Sequence, residues 1–547
     1  MPRDPEGVLL ESGAQPEQPL TPPPERDDDR LDRSGRALLV FSMLLGLVTH
    51  GWNVFKYPLY LSDEGIYMQQ AWAVLREGKL SPYTYFYDHA PMGWLTLAAW
   101  VGMLPGRFHT FGDPINAGRV LMVLVQLASV YFLFEVVRRY SGSVSAAFLA
   151  AFVFTVSPLA VYYQRQVLLD NLMVFWVLLG LFLLSRGGRR VMTVMGSGLA
   201  VGLAAITKEN AVFLIPGFGY LMHRGISGRT NRRFSATFWW FAALSPVCVY
   251  VLFATLKNEL FPQGMHFNLN SPPANHVSLL YTVWWQLNRT AQGSQGSAFA
   301  DLLHGSWLPK DRFLLIGGAL ATVATLLLYL QDRARGTALL GGSLLAFGYG
   351  FYLARSVLLD FYVTPLIPLL ALNIGLLWGR LTQSVRPVAA GALTLALLVP
   401  PLALPGGYVM KYNDHHRLQL VDQYRLSLTS LQAQQVAWIR ANIPTDGRMI
   451  IDDDIWVSLH DTAPVYRNAH SHWKASSDPD VRGKVFHADW RNLDYVVLSN
   501  RMRRAMNENN GSGQENWILQ AIDQHGRQVW QLSKGNVELS IVKIESG

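Results

Sequence analysis

The chain has 547 residues, more than one compact domain usually holds, so two or more structural units are expected. Half of the residues are hydrophobic and only 15% are charged, a composition that excludes a disordered chain and disfavours an ordinary soluble enzyme. The net charge of +8 could suit nucleic acid, but the arginines stand in short clusters between apolar stretches. Multi-span membrane proteins use arginine in this way, so we exclude a nucleic-acid partner. The single cysteine, Cys248, excludes an internal disulfide.

The first residues of the chain differ in composition from the rest. Residues 1–35 are rich in proline and charge, which predicts a disordered tail and not a signal peptide. Beyond them, apolar runs predict about eleven membrane-spanning helices, since a span needs roughly 20 residues. The runs occupy 37–55, 117–137, 144–163, 171–185, 191–206, 210–222, 237–256, 313–330, 337–354, 361–379 and 387–404. A further run, 91–104, is too short to span and predicts an interfacial or partly inserted helix.

Arginine clusters predict how these helices are oriented. With the N-terminus in the cytoplasm, the clusters between spans fall on the cytoplasmic side, as the positive-inside tendency requires. They are Arg138/Arg139, Arg186/Arg189/Arg190, Arg224/Arg229/Arg232/Arg233, Arg333/Arg335 and Arg380/Arg386. Counting 91–104 as a span would move all of them outside. This orientation places the loops 56–116 and 257–312, and the chain after residue 405, outside the cytoplasm.

The segment 406–547 is more polar than the membrane unit 36–405 that precedes it. Strand-like runs alternate in it with helix-like runs, which predicts a small extracytoplasmic α/β domain. The strands are expected at 448–452, 493–499 and 537–543, and the helices at 427–442 and 514–524. The predicted fold is therefore a multi-span α-helical membrane protein with a C-terminal α/β domain.

Isolated ionisable residues mark the predicted extracytoplasmic edge of the membrane. Asp63 and Glu64 follow the first span, where they serve either as a helix cap or as a functional pair. Asp88 and His89 stand in an aromatic run before Pro91, a pattern that an interface anchor would also give.

Three further pairs of charged residues are expected at the same edge. They are Arg165 with Asp170, Lys208 with Glu209, and Arg355 with Asp360. Each pair alone is compatible with a structural salt bridge, because charges near membrane depth usually pair. Independent salt bridges, however, have no reason to lie on one face of the membrane. A polar cavity that opens outward and holds carboxylates together with cations explains this distribution.

Such a cavity suits the transfer of a sugar from a lipid-linked donor. Nucleotide-activated sugars are absent outside the cell, so a donor used there is carried by a polyprenyl phosphate. Its phosphate lies at headgroup depth, where an arginine or a lysine neutralises the leaving charge. A neighbouring carboxylate removes the proton of the attacking hydroxyl, and a single carboxylate of this kind favours inversion at the sugar carbon.

The order of these motifs resembles the GT-C superfamily of membrane glycosyltransferases, in particular its protein O-mannosyltransferases and aminoarabinose transferases. The matched elements are Asp63-Glu64, Asp88-His89-Ala90-Pro91, Arg165 with Asp170, Lys208-Glu209, and the helix from Tyr362 to Pro368. They extend over 37–405. Ala90 stands where the family has the first of two prolines, so this motif is matched imperfectly.

The resemblance implies roles for these residues. It implies that Asp63 is the catalytic base and that Glu64 helps to position the acceptor. The expected ligands of the donor phosphate are Arg165, Lys208 and Arg355, and the expected substrate-positioning residues are Asp88, His89, Asp170 and Glu209.

No cofactor is expected, because this branch mostly works without a metal and no dense cluster of carboxylates and histidines supports a divalent ion. The run Asp452-Asp453-Asp454 directly follows a predicted strand. It predicts a solvated loop rather than a metal site, since metal ligands usually converge from several segments.

The expected partners are the lipid bilayer, a polyprenyl-phosphate sugar, and an acceptor that is a protein, a lipid or a polysaccharide. The expected location is a plasma membrane, and the compact loops and the resemblance favour a bacterial one. The main alternative is a secondary transporter or a lipid flippase, for which charges near mid-membrane and repeat symmetry are expected. A non-catalytic membrane scaffold is the second alternative, and it leaves the one-sided charges unexplained.

Overall fold

The computed structural model describes residues 31–186, 191–226, 231–262, 264, 277–288, 299–333, 336–355, 358–403, 422–508 and 515–545. The first part of the chain is helical. Its helices are α1 (Arg33–Gly51), α2 (Ser62–Glu77), α3 (Met92–Met103), α4 (Pro114–Ser141), α5 (Val144–Val156), α6 (Pro158–Tyr163), α7 (Leu169–Ser185), α8 (Val191–Ala205), α9 (Ile215–Gly225), α10 (Arg232–Leu256), α11 (Leu279–Asn288), α12 (Phe299–Leu302), α13 (Leu308–Lys310), α14 (Arg312–Gln331), α15 (Thr337–Arg355), α16 (Leu366–Leu381) and α17 (Pro387–Ala403).

Among the described residues, six helices are long and apolar enough to cross a membrane by length and composition. They are Arg33–Gly51, Pro114–Ser141, Arg232–Leu256, Arg312–Gln331, Thr337–Arg355 and Asp360–Leu381. Shorter apolar helices lie at Met92–Met103, Val144–Val156, Leu169–Ser185, Val191–Ala205 and Pro387–Val399. The predicted helical membrane unit is confirmed, while the predicted number of spans stays a prediction.

Two of the predicted spans are divided. The run 144–163 breaks at Pro158 into α5 and α6, because proline has no amide hydrogen to continue the ladder. Ser157 Oγ accepts a hydrogen bond from Ala160 N at 3.3 Å and so caps α6. The run 210–222 begins as a 3-10 turn, Glu209–Leu214, before α9 starts. Both breaks place irregular backbone next to polar side chains.

Close helix packing depends on small residues in α8. A Cβ at Gly198 would overlap the backbone carbonyl of Trp239, and one at Gly202 would overlap that of Ala243. These two glycines, four residues apart, let the backbones of α8 and α10 approach each other, as small-residue motifs do between membrane helices.

The C-terminal region, residues 422–545, contains the predicted α/β fold. Its elements are α18 (Asp422–Arg425), α19 (Thr429–Asn442), β1 (Met449–Ile451), α20 (Trp456–His460), β2 (Ala469–Ser471), α21 (His472–Ser477), β3 (Tyr495–Ser499), α22 (Asn500–Glu508), α23 (Asn516–His525), β4 (Gly526–Lys534) and β5 (Val537–Ile544). The sheet order is β2-β1-β3-β5-β4. β1 pairs in parallel with β2 and β3, and β5 pairs antiparallel with β3 and β4. The predicted strands and the predicted C-terminal α/β fold are confirmed.

The C-terminal region covers one end of the helical bundle. Trp52, just after α1, donates through Nε1 to the carbonyl of Tyr424 at 3.2 Å. Ser458 Oγ donates to Asp113, the N-cap of α4, at 3.2 Å. Trp72 of α2 packs edge-on against Trp456. We call this end of the bundle the covered end. The domain limits 1–35, 36–405 and 406–547 stay predictions.

Candidate active site

The covered end gathers most of the ionisable residues that the sequence singles out. Helix α2 lies there, and its first turn carries Asp63 and Glu64. The amide of Leu61 donates to Glu64 Oε2 at 3.0 Å, so Glu64 caps the start of α2. The helix-cap role left open by the sequence is therefore filled by Glu64.

Glu64 is enclosed within the protein. Arg119 of α4 donates to it through Nε at 2.8 Å and through Nη2 at 2.7 Å, and the amide of Val167 donates at 2.9 Å. Both side chains of this ion pair are 0% exposed. Glu64 therefore ties α2 to α4 and to the turn before α7. Whether it also positions an acceptor, as the resemblance implies, stays a prediction.

Arg119 is a residue of this site that the sequence reasoning missed. Its Nη1 also donates to the carbonyls of Val54 and Pro58, at 2.9 and 3.0 Å. The sequence did contain a signal for this ion pair, because a single arginine inside an otherwise apolar span must find a buried partner. The partner, Glu64, is 55 residues away in the chain.

Asp63 contrasts with its neighbour. Its side chain is partly exposed, and its Oδ1 accepts a long hydrogen bond from Tyr67 OH at 3.4 Å. Within the described part of the chain it makes no other hydrogen bond. Burial raises the pKa of Asp63, with Lys208 and His89 opposing the rise and Asp453 and Asp170 adding to it. This carboxylate is accordingly available to a ligand, and its raised pKa makes it a better base.

Lys208 and Asp170 form a buried ion pair beside Asp63. Lys208 Nζ lies 2.5 Å from Asp170 Oδ2, and the side chains are 3% and 0% exposed. Nζ also lies 4.1 Å from the ring centroid of Tyr362. Asp170 Oδ1 is buried and has no hydrogen-bond partner among the described residues. The pair thus places a cation next to the candidate base and leaves one carboxylate oxygen without a donor.

Glu209 joins two loops at the same place. Its Oε2 lies 3.1 Å from His89 Nδ1, and its Oε1 accepts a hydrogen bond from the amide of Ala90 at 2.6 Å. The His89 and Glu209 side chains are 23% and 45% exposed, so both remain accessible. The structure therefore brings His89 and Glu209 to the site of Asp63 and Lys208.

Asp88 interacts electrostatically with Lys474 of the C-terminal region. Lys474 is buried over the ring of Phe86, with its Nζ 3.5 Å from the ring centroid. Burial lowers the pKa of Lys474 to about 8, against the attraction of Asp478 and Asp88.

Arg165 lies among a different set of neighbours. Its guanidinium donates to the carbonyl of Gln423 at 2.7 Å and to that of Thr49, and it stacks on Tyr424. It is completely buried. In the described part of the chain, Arg165 shares no hydrogen bond or ion pair with Asp63 or Lys208.

A second lysine–aspartate pair lies near the first one. Asp360 starts the short turn Asp360–Val363, whose next residues contact Lys208. Asp360 accepts hydrogen bonds from Tyr163 OH and Ser306 Oγ, and Lys310 Nζ lies 3.2 Å from its Oδ2. The sequence reasoning noted Asp360 but missed Ser306 and Lys310, because nothing in a loop before a span distinguishes them. The exposed Arg355 ends α15, shortly before this turn.

Comparisons with known proteins agree on a class. A family model described as dolichyl-phosphate-mannose-protein mannosyltransferase matches residues 88–253. The structure of ArnT from Cupriavidus metallidurans bound to undecaprenyl phosphate is similar, with a TM-score of 0.57 at 12% identity, covering 93% of this chain and 98% of that one. The chain has the GT-C glycosyltransferase fold. No curated protein matches it in sequence.

Oligosaccharyltransferase structures from Archaeoglobus fulgidus share this fold. The apo form has a TM-score of 0.57 at 11% identity and covers 90% of this chain and 73% of that one. A complex with an inhibitory peptide and a dolichol-phosphate has a TM-score of 0.56 at 10% identity, covering 93% and 74%. The predicted GT-C fold is confirmed, and the match of the family model to residues 88–253 agrees with the predicted class of membrane glycosyltransferases.

One expectation from the sequence is wrong. Asp452, Asp453 and Asp454 are buried, and do not form a solvated loop. The reason is that the carboxyl end of β1 packs against α2, where Ser62 and Gln69 donate to Asp453. Among the described residues, no group of three His, Cys, Asp or Glu side chains could hold a metal ion, so we derive no step through a metal.

Proposed function

We propose that this chain transfers a sugar from a polyprenyl-phosphate donor to a hydroxyl group of an acceptor, with inversion at the sugar carbon. The observation that carries the proposal is the state of Asp63. Its carboxylate is partly exposed and has one long hydrogen bond, while its neighbour Glu64 is fully engaged. A base needs a carboxylate that can reach a substrate proton.

The chemistry follows from the neighbours of Asp63. Asp63 removes the proton of the acceptor hydroxyl as its oxygen attacks the anomeric carbon of the sugar. The bond from that carbon to the phosphate oxygen breaks, and the electron pair leaves with the phosphate. Lys208, close to Asp63, stabilises the developing negative charge. One carboxylate base without a carboxylate nucleophile gives a single displacement, hence inversion.

The donor phosphate is proposed to bind beside the turn Asp360–Val363, where Lys208 and Lys310 both have contacts. Lys208 contacts the ring of Tyr362 in this turn, Lys310 pairs with Asp360, and the exposed Arg355 precedes the turn in the chain. A phosphate can compete with the aspartates for these cations, because charge-assisted hydrogen bonds to phosphate are strong. Undecaprenyl phosphate and a dolichol-phosphate, named in the ArnT and oligosaccharyltransferase structures, support a polyprenyl carrier.

Arg165 was predicted to bind the same phosphate. Two backbone carbonyls and the ring of Tyr424 already engage its guanidinium, whose buried Nε has no hydrogen-bond partner among the described residues. We therefore assign it to holding the covered end together, and we assign Asp88, His89, Asp170 and Glu209 to shaping the substrate site.

The covered end is proposed to face away from the cytoplasm of a bacterial plasma membrane. Helix α4 supports this orientation, because its N-cap Asp113 contacts the C-terminal region while its last turn carries Arg138 and Arg139. Arginines concentrate on the cytoplasmic side. The acceptor, whether protein, lipid or polysaccharide, then reaches Asp63 from the extracytoplasmic side.

A transporter or a flippase fits the structure less well. The ionisable residues discussed above gather at the covered end and at the loops beside it. A transporter places its substrate site near the bilayer midplane, at discontinuous helices related by a repeat.

Mass spectrometry of the lipid that co-purifies with the protein tests the donor. We expect a polyprenyl phosphate, with or without a sugar, that is lost from a Lys208→Ala, Lys310→Ala double variant. Reconstitution with a radiolabelled polyprenyl-phosphate sugar then measures transfer directly. Flipping of the lipid across vesicles without sugar transfer would contradict the proposal and favour the flippase.

A further inference from the structure

The C-terminal region holds the helix that carries the candidate base. On α2, Ser62 Oγ donates to Asp453 Oδ2 at 2.8 Å, and Gln69 Nε2 donates to Asp453 Oδ1 at 2.8 Å. A Cβ at Gly65 would overlap the backbone carbonyl of Asp453. Gly65 and Gln69 follow Ser62 by three and seven residues, so the three residues share one face of the helix. That face is fitted against Asp453 and its neighbours Asp454 and Ser471 in the C-terminal region.

The other faces of α2 have different neighbours. Asp63 and Tyr67, four residues apart, look towards Lys208 and His89. Glu64 on the third face binds Arg119. The helix is therefore held on two sides, by Arg119 and by Asp453, and Asp63 lies on another face, towards Lys208. A rotation of α2 about its axis would move Asp63 away from Lys208.

Asp453 is an unusual group to bury. It is 0% exposed, and within the described part of the chain it has no ion pair with Lys, Arg or His. Its oxygens accept hydrogen bonds from Ser471 and Trp473 of its own region as well as from α2. A buried carboxylate without a cation is costly, and it is retained only where several donors satisfy it. Two of those donors belong to α2, so the correct docking of α2 and the burial of Asp453 depend on each other.

The position of Asp453 in the sheet is also informative. It follows β1, beside the carboxyl end of β2, and β1 is the central strand of the parallel part. Open α/β sheets bind their ligands at this edge. In this protein α2 packs against that edge of the sheet, so the edge where such sheets usually bind a ligand holds the helix that carries Asp63.

We propose that Asp453 is a positioning residue for sugar transfer, which fixes the rotation of α2 so that Asp63 faces the donor. The inference rests on the proposed role of Asp63. Asp453 is not a catalytic residue, because it touches α2 and not the site itself. A second effect accompanies the first, since the negative charge of Asp453 helps to raise the pKa of Asp63.

The experiment compares Asp453→Asn with Asp461→Asn in the purified full chain. Asp461 also joins the C-terminal region to the rest of the chain, through Arg76 and Trp72, each at 2.8 Å, and through His109 at 3.0 Å. It meets the opposite end of α2 from Asp63. The two variants therefore remove comparable contacts between α2 and the C-terminal region, but only Asp453→Asn changes a contact beside the candidate catalytic base Asp63.

We expect Asp453→Asn to lower kcat about 10- to 100-fold, because small misplacements of a reacting group have effects of this size. The donor KM should stay near that of the wild type, since Lys208 and Lys310 are untouched. The acidic limb of the pH profile should move to lower pH, because loss of the Asp453 charge lowers the pKa of Asp63. Asp461→Asn should keep the wild-type kcat and pH profile.

The inference is overturned if Asp453→Asn keeps the wild-type kcat and pH profile. It is also overturned if Asp461→Asn lowers kcat as much as Asp453→Asn does, because any loss of docking between α2 and the C-terminal region would then have the same effect. If Asp453→Asn does not fold, Ser62→Ala decides, since it leaves Asp453 bound to Gln69, Ser471 and Trp473. Ser62→Ala should lower kcat about 3- to 10-fold, the worth of one hydrogen bond, and an unchanged kcat overturns the inference. Full activity of Asp63→Asn in the same assay would instead contradict the proposed function.

Discussion

The two adjacent carboxylates of α2 should respond in opposite ways to the loss of their charge. Glu64→Gln keeps the size of the side chain but removes the negative charge that Arg119 faces. Arg119 is 0% exposed, so its positive charge would remain buried without a counter-charge. Breaking a buried ion pair by changing one partner costs about 3–5 kcal/mol of stability. Asp63→Asn has no such cost, because Asp63 shares no ion pair within the described part of the chain.

The hydrogen bonds of the Glu64–Arg119 pair show which part of the lost stability comes from the unpaired charge and which part from the lost hydrogen bonds. Glu64 accepts two hydrogen bonds from Arg119, one from Leu61 N and one from Val167 N. The amide of Gln can still accept, but one of its two groups is a donor and would face either Arg119 or a backbone amide. A double variant, Glu64→Gln with Arg119→Met, removes the uncompensated charge. It should recover part of the stability, while the carbonyls of Val54 and Pro58 lose their donor.

The assay is thermal inactivation of the detergent-purified protein, followed by intrinsic fluorescence and by the half-life of transfer activity. We expect a clearly lower apparent Tm for Glu64→Gln, a partly restored one for the double variant, and a wild-type value for Asp63→Asn. A Glu64→Gln protein with wild-type Tm and lost acceptor binding would refute this reasoning and restore the substrate role that the resemblance implies for Glu64.

Three further predictions concern the site. Because burial raises the pKa of Asp63 and the base must be ionised, kcat/KM should fall as the pH drops through this raised pKa, and Asp63→Glu should move the midpoint. A profile that stays flat down to the ordinary pKa range of an aspartate would contradict the assignment. Lys208→Ala should raise the donor KM more than the acceptor KM, and it should also destabilise the fold because Asp170 would stay buried without its counter-charge. Lys208→Met removes the charge but keeps most of the packing, so it separates the two effects. Equal effects on both substrates in a two-substrate titration would count against phosphate binding. Arg165→Ala should lower the apparent Tm with little change in donor affinity, since its contacts are with Thr49 and Gln423; a selective loss of donor binding would show that it binds the phosphate after all.

The sequence predicts most of this fold because membrane helices leave a strong signal. Apolar runs locate α4, α10, α14 and α15, and strand-like runs locate β1, β3 and β5 of the C-terminal region, whereas β2 and β4 were not predicted. The break at Pro158 was not predicted, because an apolar run longer than a span hides a short bend.

The candidate site was predictable only in part. The predicted clustering at one end is realised for Asp63, His89, Asp170, Lys208 and Glu209. The roles of Glu64 and Asp453 depend on partners 55 and 391 residues away, and a single sequence contains no information on such pairings. Two side chains of similar chemistry, Asp63 and Glu64, thus differ because of what folds against them.

Sugar transfer in a single turnover, with donor pre-bound to Asp63→Asn, tests most directly whether Asp63 carries the chemistry. The amide keeps the size of the side chain and cannot take a proton, so we expect the rate of transfer to fall by about 10²–10⁴-fold while donor binding and the apparent Tm stay at wild-type values. A wild-type rate in that variant would show that the proton of the acceptor is removed elsewhere, and the assignment of the active site to α2 would be wrong.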